Sequence, residues 1–182
     1  YLFYIDYNGG SYGLHYSVID LNRPGNGTAL NPLGEVTTKN ILLQSSVSEK
    51  LAAIRHGNGN DYWVLCHKNS TNEYVAFKIS AAGISTAVTS NIPGDNFTID
   101  ATGGQMKFSP CGDKLAIAYW YHTANNFKVF DFNTQTGVVS GGLGLNVGPS
   151  YGSCAYGVEF SLDGTKLYLA SICASRMDQY DF

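Results

Sequence analysis

Phe160-Ser-Leu-Asp-Gly-Thr-Lys-Leu-Tyr-Leu-Ala170 decides the fold, because the chain says nearly the same thing twice more. Phe108-Ser-Pro-Cys-Gly-Asp-Lys-Leu-Ala-Ile-Ala118 and Ile54-Arg-His-Gly-Asn-Gly-Asn-Asp-Tyr-Trp-Val-Leu65 carry the same strand, turn, strand pattern. Their turn glycines Gly59, Gly112 and Gly164 lie 53 and then 52 residues apart. A period near fifty, built of short strands joined by turns, is the sequence form of a β-propeller. Such a unit cannot bury its own faces and has to stack on its neighbours.

Composition agrees. The 182 residues are 44% hydrophobic but only 14% charged, and Gly (21) and Tyr (13) are abundant. Polarity comes from Asn, Ser, Thr and Gly, which suits turns and twisted sheets, and no window shows a helical apolar period. A net charge of −3 gives no basic footprint for nucleic acid or an anionic membrane. No apolar run is long enough for membrane insertion. Low charge with many Asn, Thr and Tyr points to an extracellular or cell-surface location. Three Asn-x-Ser/Thr sequons, at Asn26, Asn69 and Asn96, carry little weight in a chain so rich in these residues.

Each full repeat reads as four strands, a to d. The second unit gives a over Leu51–His56, b over Tyr62–His67, c over Tyr74–Ser80 and d over Ile84–Ser90. The third gives a over Gln105–Ser109, b over Lys114–Tyr121, c over Phe127–Phe132 and d over Val138–Leu143. Lys128-Val-Phe-Asp-Phe132 alternates with the period of two that strands require. The opening run Tyr1–Tyr7 matches a strand b, and beginning inside a strand it reads as a processed or cut end. Gly13–Leu21 follows as c and Glu35–Leu43 as d, so the first unit lacks strand a. The last unit runs a (Tyr156–Ser161), b (Lys166–Ser171) and c (Arg176–Phe182) and lacks strand d.

The expected fold is therefore an all-β partial β-propeller of about three and a half four-stranded antiparallel blades, fourteen strands in one domain over 1–182. Its units are a partial blade at 1–46, blades at 47–98 and 99–149, and a partial blade at 150–182. Both partial blades contain b and c, so they do not merge into one. The open edges call for the rest of a longer polypeptide or for a covering chain. Asn58-Gly59 and Asp163-Gly164 are type I′ hairpin signals, with Cys111-Gly112 in the same slot.

The Phe-Ser-x-x-Gly-x-Lys-Leu segments at 108–115 and 160–167 resemble the signature of TolB-like and related WD40-like propeller repeats. Asp20, Asp131 and Asp181 resemble the Asp that ends strand c in such repeats, where the carboxylate accepts turn N–H groups. A longer resemblance runs through Tyr16-Ser-Val-Ile-Asp-Leu21, Gly34-Glu-Val36, Lys39-Asn40, Glu49-Lys-Leu51, His56-Gly-Asn-Gly59, Asp61-Tyr-Trp-Val64 with His67, and Tyr156-Gly-Val-Glu-Phe-Ser161. It is similar to the propeller region of large Bacteroidota surface proteins exported by the type 9 secretion system, often with a gliding-motility-associated sorting domain. The resemblance implies export, with type 9 translocon components as partners.

Candidate sites are few. His56 and His67 flank Asp61-Tyr-Trp on one hairpin and would suit a metal or an acid–base pair. No third ligand is near, so a hydrogen bond from His56 to Asp61 that holds the hairpin is the favoured role. Trp120, Tyr121 and His122 sit at a b–c connection and would suit a stacking platform on the rim, although alternate members of such a run are more often core. Reflecting the last hairpin about Asp163-Gly164 sets Cys154 opposite Cys173, within reach of a disulfide that an extracellular location would permit. Cys66 and Cys111 show no such relation. Gly141-Gly-Leu-Gly144 reads as an inter-blade crossing rather than a phosphate cradle. No catalytic set, cofactor motif or metal motif emerges.

The leading expectation is a non-enzymatic, secreted or cell-surface module for adhesion or for binding a protein or glycan. The alternative is a fragment of a propeller-fold enzyme of lactonase, lyase or glycosidase type, its axial site completed by further blades. Strands a that begin with apolar or small residues lean against that alternative.

Overall fold

The structure, a computed structural model, describes residues 1–95, 102–120, 126–145, 154–173 and 175–182. Four antiparallel sheets follow one another along the chain. The first holds β1 (Leu2–Ile5), β2 (Leu14–Asp20) and β3 (Glu35–Gln44) in that order, with a 3-10 turn at Tyr7–Gly9. The second runs β4 (Val47–Arg55), β5 (Tyr62–Lys68) and β6 (Glu73–Ser80); β7 (Gly83–Ile84) and β8 (Val88–Asn91) both pair with β6. The third is β9 (Met106–Phe108), β10 (Lys114–Ala118), β11 (Phe127–Asn133) and β12 (Val138–Leu145). The fourth is β13 (Ala155–Phe160), β14 (Lys166–Ser171) and β15 (Arg176–Asp181).

The three-four-four-three pattern read from the sequence is thus present, as an all-β, partial-propeller fold. Several strand ends shift by one to three residues, and two differences go deeper. Strand d of the second sheet is split, because the Ser85 hydroxyl takes the Lys78 N–H in place of a backbone carbonyl (3.0 Å), and the chain leaves the ladder there. Strand a of the same sheet begins at Val47, four residues before the expected Leu51. Its register jumps between Val47↔Lys68 and Leu51↔Cys66, so Ser48, Glu49 and Lys50 bulge out, and a bulge hides the alternation that marks a strand.

The three repeated turns close alike: Gly59, Gly112 and Gly164 each donate a 2.9 Å bond to the carbonyl three residues back. Only the glycine has positive φ (76°, 81° and 73°), so these are not type I′ turns but turns followed by one left-handed residue. The side chain that braces the turn varies. Asn58 Oδ1 accepts the Asn60 and Asp61 N–H groups, and Asp163 Oδ1 accepts the Ser161 hydroxyl and the Thr165 N–H. Where Cys111 stands in the Asp slot, Asp113 accepts Ser109 Oγ and Cys111 Sγ instead, each at 2.9 Å. Of the strand-c aspartates only Asp20 braces its turn, through the Asn22 N–H. Asp131 and Asp181 pair across the ladder with Lys114 and Lys166, the lysines of the repeated Lys-Leu.

Alternate faces of the second and third sheets meet the sheets on either side. Leu14, Val47, Val64, Cys66, Val75 and Phe77 fill the first seam. Trp63, Leu65, Tyr74, Leu115, Ile117 and Phe130 fill the second. Ala118, Phe127, Leu145, Ala155, Val158 and Leu169 fill the third. The inner strands are tied at their starts, Glu49 N–H to the Thr102 carbonyl (3.2 Å) and Gln105 N–H to the Tyr156 carbonyl (2.7 Å).

Candidate functional site

One rim gathers the starts of strands a, the ends of strands b and the starts of strands c. At this rim the second seam holds charge. Lys50 sits in the β4 bulge, 1% exposed, where a strict repeat places Gly103 and Ala155 in the next two units. Its Nζ donates to the carbonyls of Thr102 (2.9 Å) and Gly103 (2.7 Å) and stands 5.2 Å from the centre of the Tyr119 ring. Asp95, also 1% exposed, accepts the Tyr74 hydroxyl at 2.7 Å and pairs with the Lys128 ammonium. Tyr74 and Tyr119 share a 2.8 Å hydroxyl contact. His67, at the end of β5, meets the Tyr74 ring edge-on at 4.8 Å.

Burial dominates the titration of Lys50, His67, Tyr74 and Tyr119. It lowers Lys50 to about 7 against the pull of Glu49 and Asp95, which favour the charged form. Burial first, then the Lys50 charge, lowers His67 to about 3, so this imidazole is neutral. Burial also raises both tyrosine hydroxyls well above their ordinary value, keeping them protonated donors. Taking charges out of water costs several kcal/mol per ion unless partners compensate. Here Asp95 has a lysine and a tyrosine, and Lys50 has two carbonyls.

The cluster borders a cavity. Asp95 and Lys128 lie in the wall of a cavity of about 200 Å³ between Ile92–Gly94 and the glycines of β12. The Lys128 side chain keeps 15% of its surface exposed. Gly141-Gly-Leu-Gly144 thus lies inside strand d, not after it, and is no crossing between blades. Gly141 and Gly142 stand opposite the single Phe130 where the register slips, and a Cβ on Gly142 would come within 3.0 Å of the Phe130 ring. A larger groove of about 610 Å³ runs along β4, β9 and β13, but its charged members Lys107 and Glu159 pair with each other at 3.1 Å and its other walls are mainly apolar.

The residues singled out in the sequence fall elsewhere. His56 accepts the Asn58 N–H on Nδ1 (3.0 Å) and stacks on Trp63 (5.2 Å). Asp61 takes the Asn58 amide instead (2.9 Å), and the His56 N–H bonds the Asp61 carbonyl rather than its carboxylate. His56 lies opposite Asp61, just before β5, and His67 lies near the other end of that strand, about 20 Å away along it. Trp120 packs over Gly103, where a Cβ would come within 2.8 Å of its ring, and meets Tyr156 edge-on at 6.4 Å. Tyr121, His122 and Asn96 lie outside the described residues. Cys154 and Cys173 form a disulfide with Cα atoms 5.5 Å apart, and Cys66 and Cys111 are free thiols. The Asn69 amide is engaged with the Gly9 carbonyl (3.1 Å). Among the described residues no three His, Cys, Asp or Glu side chains converge as a metal site requires.

Lys50, Asp95 and Lys128 escaped the sequence reading. The one available signal was Lys50, a cation in a repeat slot otherwise held by Gly103 and Ala155.

No family model matches the sequence, and no curated protein matches it. Solved structures do. A protein assigned as a 6-phosphogluconolactonase from Bacteroides uniformis has a TM-score of 0.60 at 16% identity, over 92% of this chain and 43% of that one. The periplasmic gluconolactonase PpgL of Pseudomonas aeruginosa has a TM-score of 0.56 at 16% identity, over 99% and 49%. Hydrazine synthase of Kuenenia stuttgartiensis gives 0.51 at 16% identity, over 96% and 44%. The chain spans less than half the length of each, and at such identity the likeness establishes the fold alone, a partial propeller-like arrangement of antiparallel sheets.

Proposed function

We propose that the chain is part of an exported, lactonase-like propeller that binds a small polyhydroxylated lactone at the rim of its second seam and opens it with water. The observation that carries the proposal is the charged cluster of Lys50, Asp95 and Lys128, packed between the second and third sheets beside a cavity. It removes the argument that the inner strands start with nothing polar, since β4 starts Val47-Ser-Glu-Lys50. The names of two structural neighbours supply the reaction class.

Lys128 is the more exposed of the two charged residues in the cavity wall, and its ammonium would stabilise the oxyanion formed when water adds to the lactone carbonyl. The ring C–O bond then breaks, and the departing oxygen takes a proton to give the hydroxy acid. Asp95 orients Lys128, and Tyr74 and Tyr119 orient Asp95. The Cys154–Cys173 disulfide supports export to an oxidising compartment.

The test is hydrolysis of glucono-δ-lactone, followed by acid release, with the full natural polypeptide. Turnover above the buffer rate that falls about a hundredfold in Lys128→Met supports the proposal, the loss being that of one oxyanion donor. A rate equal to buffer, or one indifferent to Lys128→Met, overturns it. The second reading, a surface module of a type 9 secretion cargo, draws on the same disulfide. Binding without turnover would favour it.

A further inference from the structure

Two cations share one tyrosine ring in the second seam. Lys50 Nζ lies 5.2 Å from the centre of the Tyr119 ring, and Lys128 Nζ lies 5.7 Å from it. The ammoniums are therefore at most about 11 Å apart, and the ring between them is fully buried, so they feel each other more strongly than they would across water.

They share counter-charges as well. Asp95 pairs with Lys128 and also pulls on the Lys50 proton, while Glu49, next to Lys50 in the bulge, pulls on that proton harder. The other titratable groups around Lys50 carry no charge near neutral pH: burial keeps Tyr74 and Tyr119 protonated and His67 neutral. Among the described residues, four groups thus set the charge of this corner. With Lys50 protonated, two ammoniums meet two carboxylates. With Lys50 neutral, which happens above about pH 7, one negative charge is in excess.

Lys128 is the cation in the wall of the 200 Å³ cavity, and both sheets that meet there carry strands a to d. Gly141, Gly142 and Gly144 line the cavity without side chains. A Cβ on Gly142 would stand 3.0 Å from Phe130 and 4.0 Å from Ile92, which belong to the same wall. The space is smaller than the roughly 300–1,000 Å³ of a site for a whole drug-sized ligand and suits the head group of a small anion.

We propose that this cavity takes a small carboxylate at Lys128, and that Lys50 gates the affinity by holding or releasing one charge behind Tyr119. In the lactonase reading, on which this use of the site rests, the carboxylate is that of the hydroxy-acid product. Acid that accumulates would charge Lys50, hold the product and slow the site; above neutral pH the product would leave. At an effective dielectric of about 20, one unit charge about 11 Å away changes the affinity for a singly charged anion about tenfold.

The test is calorimetric titration of the natural polypeptide with sodium gluconate and sodium acetate at constant ionic strength, from about pH 6 to about pH 8.5, with sorbitol as the neutral control. Both carboxylates stay ionised over that range. Gluconate should bind about tenfold tighter at the acid end. Lys50→Met should bind at the weaker level throughout, and Lys128→Met should lose binding. Glu49→Gln, which removes the stronger pull on the Lys50 proton, should move the midpoint to lower pH in a chain that keeps both lysines. No binding of either carboxylate, sorbitol binding as well as gluconate, equal affinity at both ends of the range, or a pH dependence that survives Lys50→Met would overturn the proposal. Nothing is turned over in this titration, so lactonase activity without a gated carboxylate site refutes the gate alone, and a gated site without activity refutes the lactonase reading alone.

Discussion

Lys50→Met tests whether the seam holds a buried amine. The native amine loses its proton near 7, against 10.5 for an ordinary lysine. The sign follows from proton counting. Between those values the unfolded chain binds one more proton than the native chain, so stability rises with pH, with a limiting slope of about 1.4 kcal/mol per pH unit. From about pH 7, where the native amine is half titrated, to about pH 9, the gain integrates to about 2 kcal/mol. Cys66 opposes it at the upper end. Burial raises that thiol from 9.0 to about 12, so the unfolded thiolate forms first, and about 0.4 kcal/mol is lost by pH 9.

Methionine fills much of the same space, and neither carbonyl is orphaned. Thr102 keeps the Glu49 N–H (3.2 Å) and Gly103 keeps the Trp120 N–H (3.3 Å). At pH 7 the variant should therefore lie within about 1 kcal/mol of the parent. The assay is urea unfolding at several pH values, followed by tryptophan fluorescence and circular dichroism, with midpoints compared at constant m. The parent should gain stability from pH 7 to 9 and the variant should not. A flat parent profile, or a parallel rise in the variant, refutes a desolvated Lys50.

Three further perturbations discriminate. Gly137→Ala should destabilise far more than Gly59→Ala: both positions have φ of 76°, but a Cβ on Gly137 meets Trp63 at 2.7 Å, whereas Gly59 has nothing within 4 Å. Urea midpoints should show about 1–2 kcal/mol for Gly59 and several for Gly137. Reducing Cys154–Cys173, 19 residues apart, should cost about 3 kcal/mol, read as a lower midpoint in dithiothreitol that the Cys154→Ser/Cys173→Ser pair reproduces without reductant. His67, lowered from 6.5 to about 3, binds a proton in the unfolded chain first, so its contribution is present above pH 6.5 and lost as pH falls towards 3. His67→Gln should flatten that acid limb of the stability profile.

The repeated Phe-Ser-x-x-Gly-x-Lys-Leu made the sheets legible, because a propeller writes the same turn chemistry into each blade at a fixed interval. The turn glycine supplies the left-handed residue, and the repeated lysines, Lys114 and Lys166, pair with the aspartates that end strand c. Function was less legible for the same reason: a repeat advertises what blades share, and a site depends on where one blade differs. Lys50 departs from Gly103 and Ala155 in its slot, but without the β4 bulge it reads as an ordinary surface lysine before a strand. Asp95 follows a Pro-Gly turn, and Lys128 belongs to a strand whose alternation already accounts for it. What joins them is the contact between two blades, Asp95 with Lys128 under the hydroxyls of Tyr74 and Tyr119, residues 45 positions apart. A departure from ladder register, which composition and period cannot reveal, therefore places the candidate site: the β4 bulge brings Lys50 into the seam.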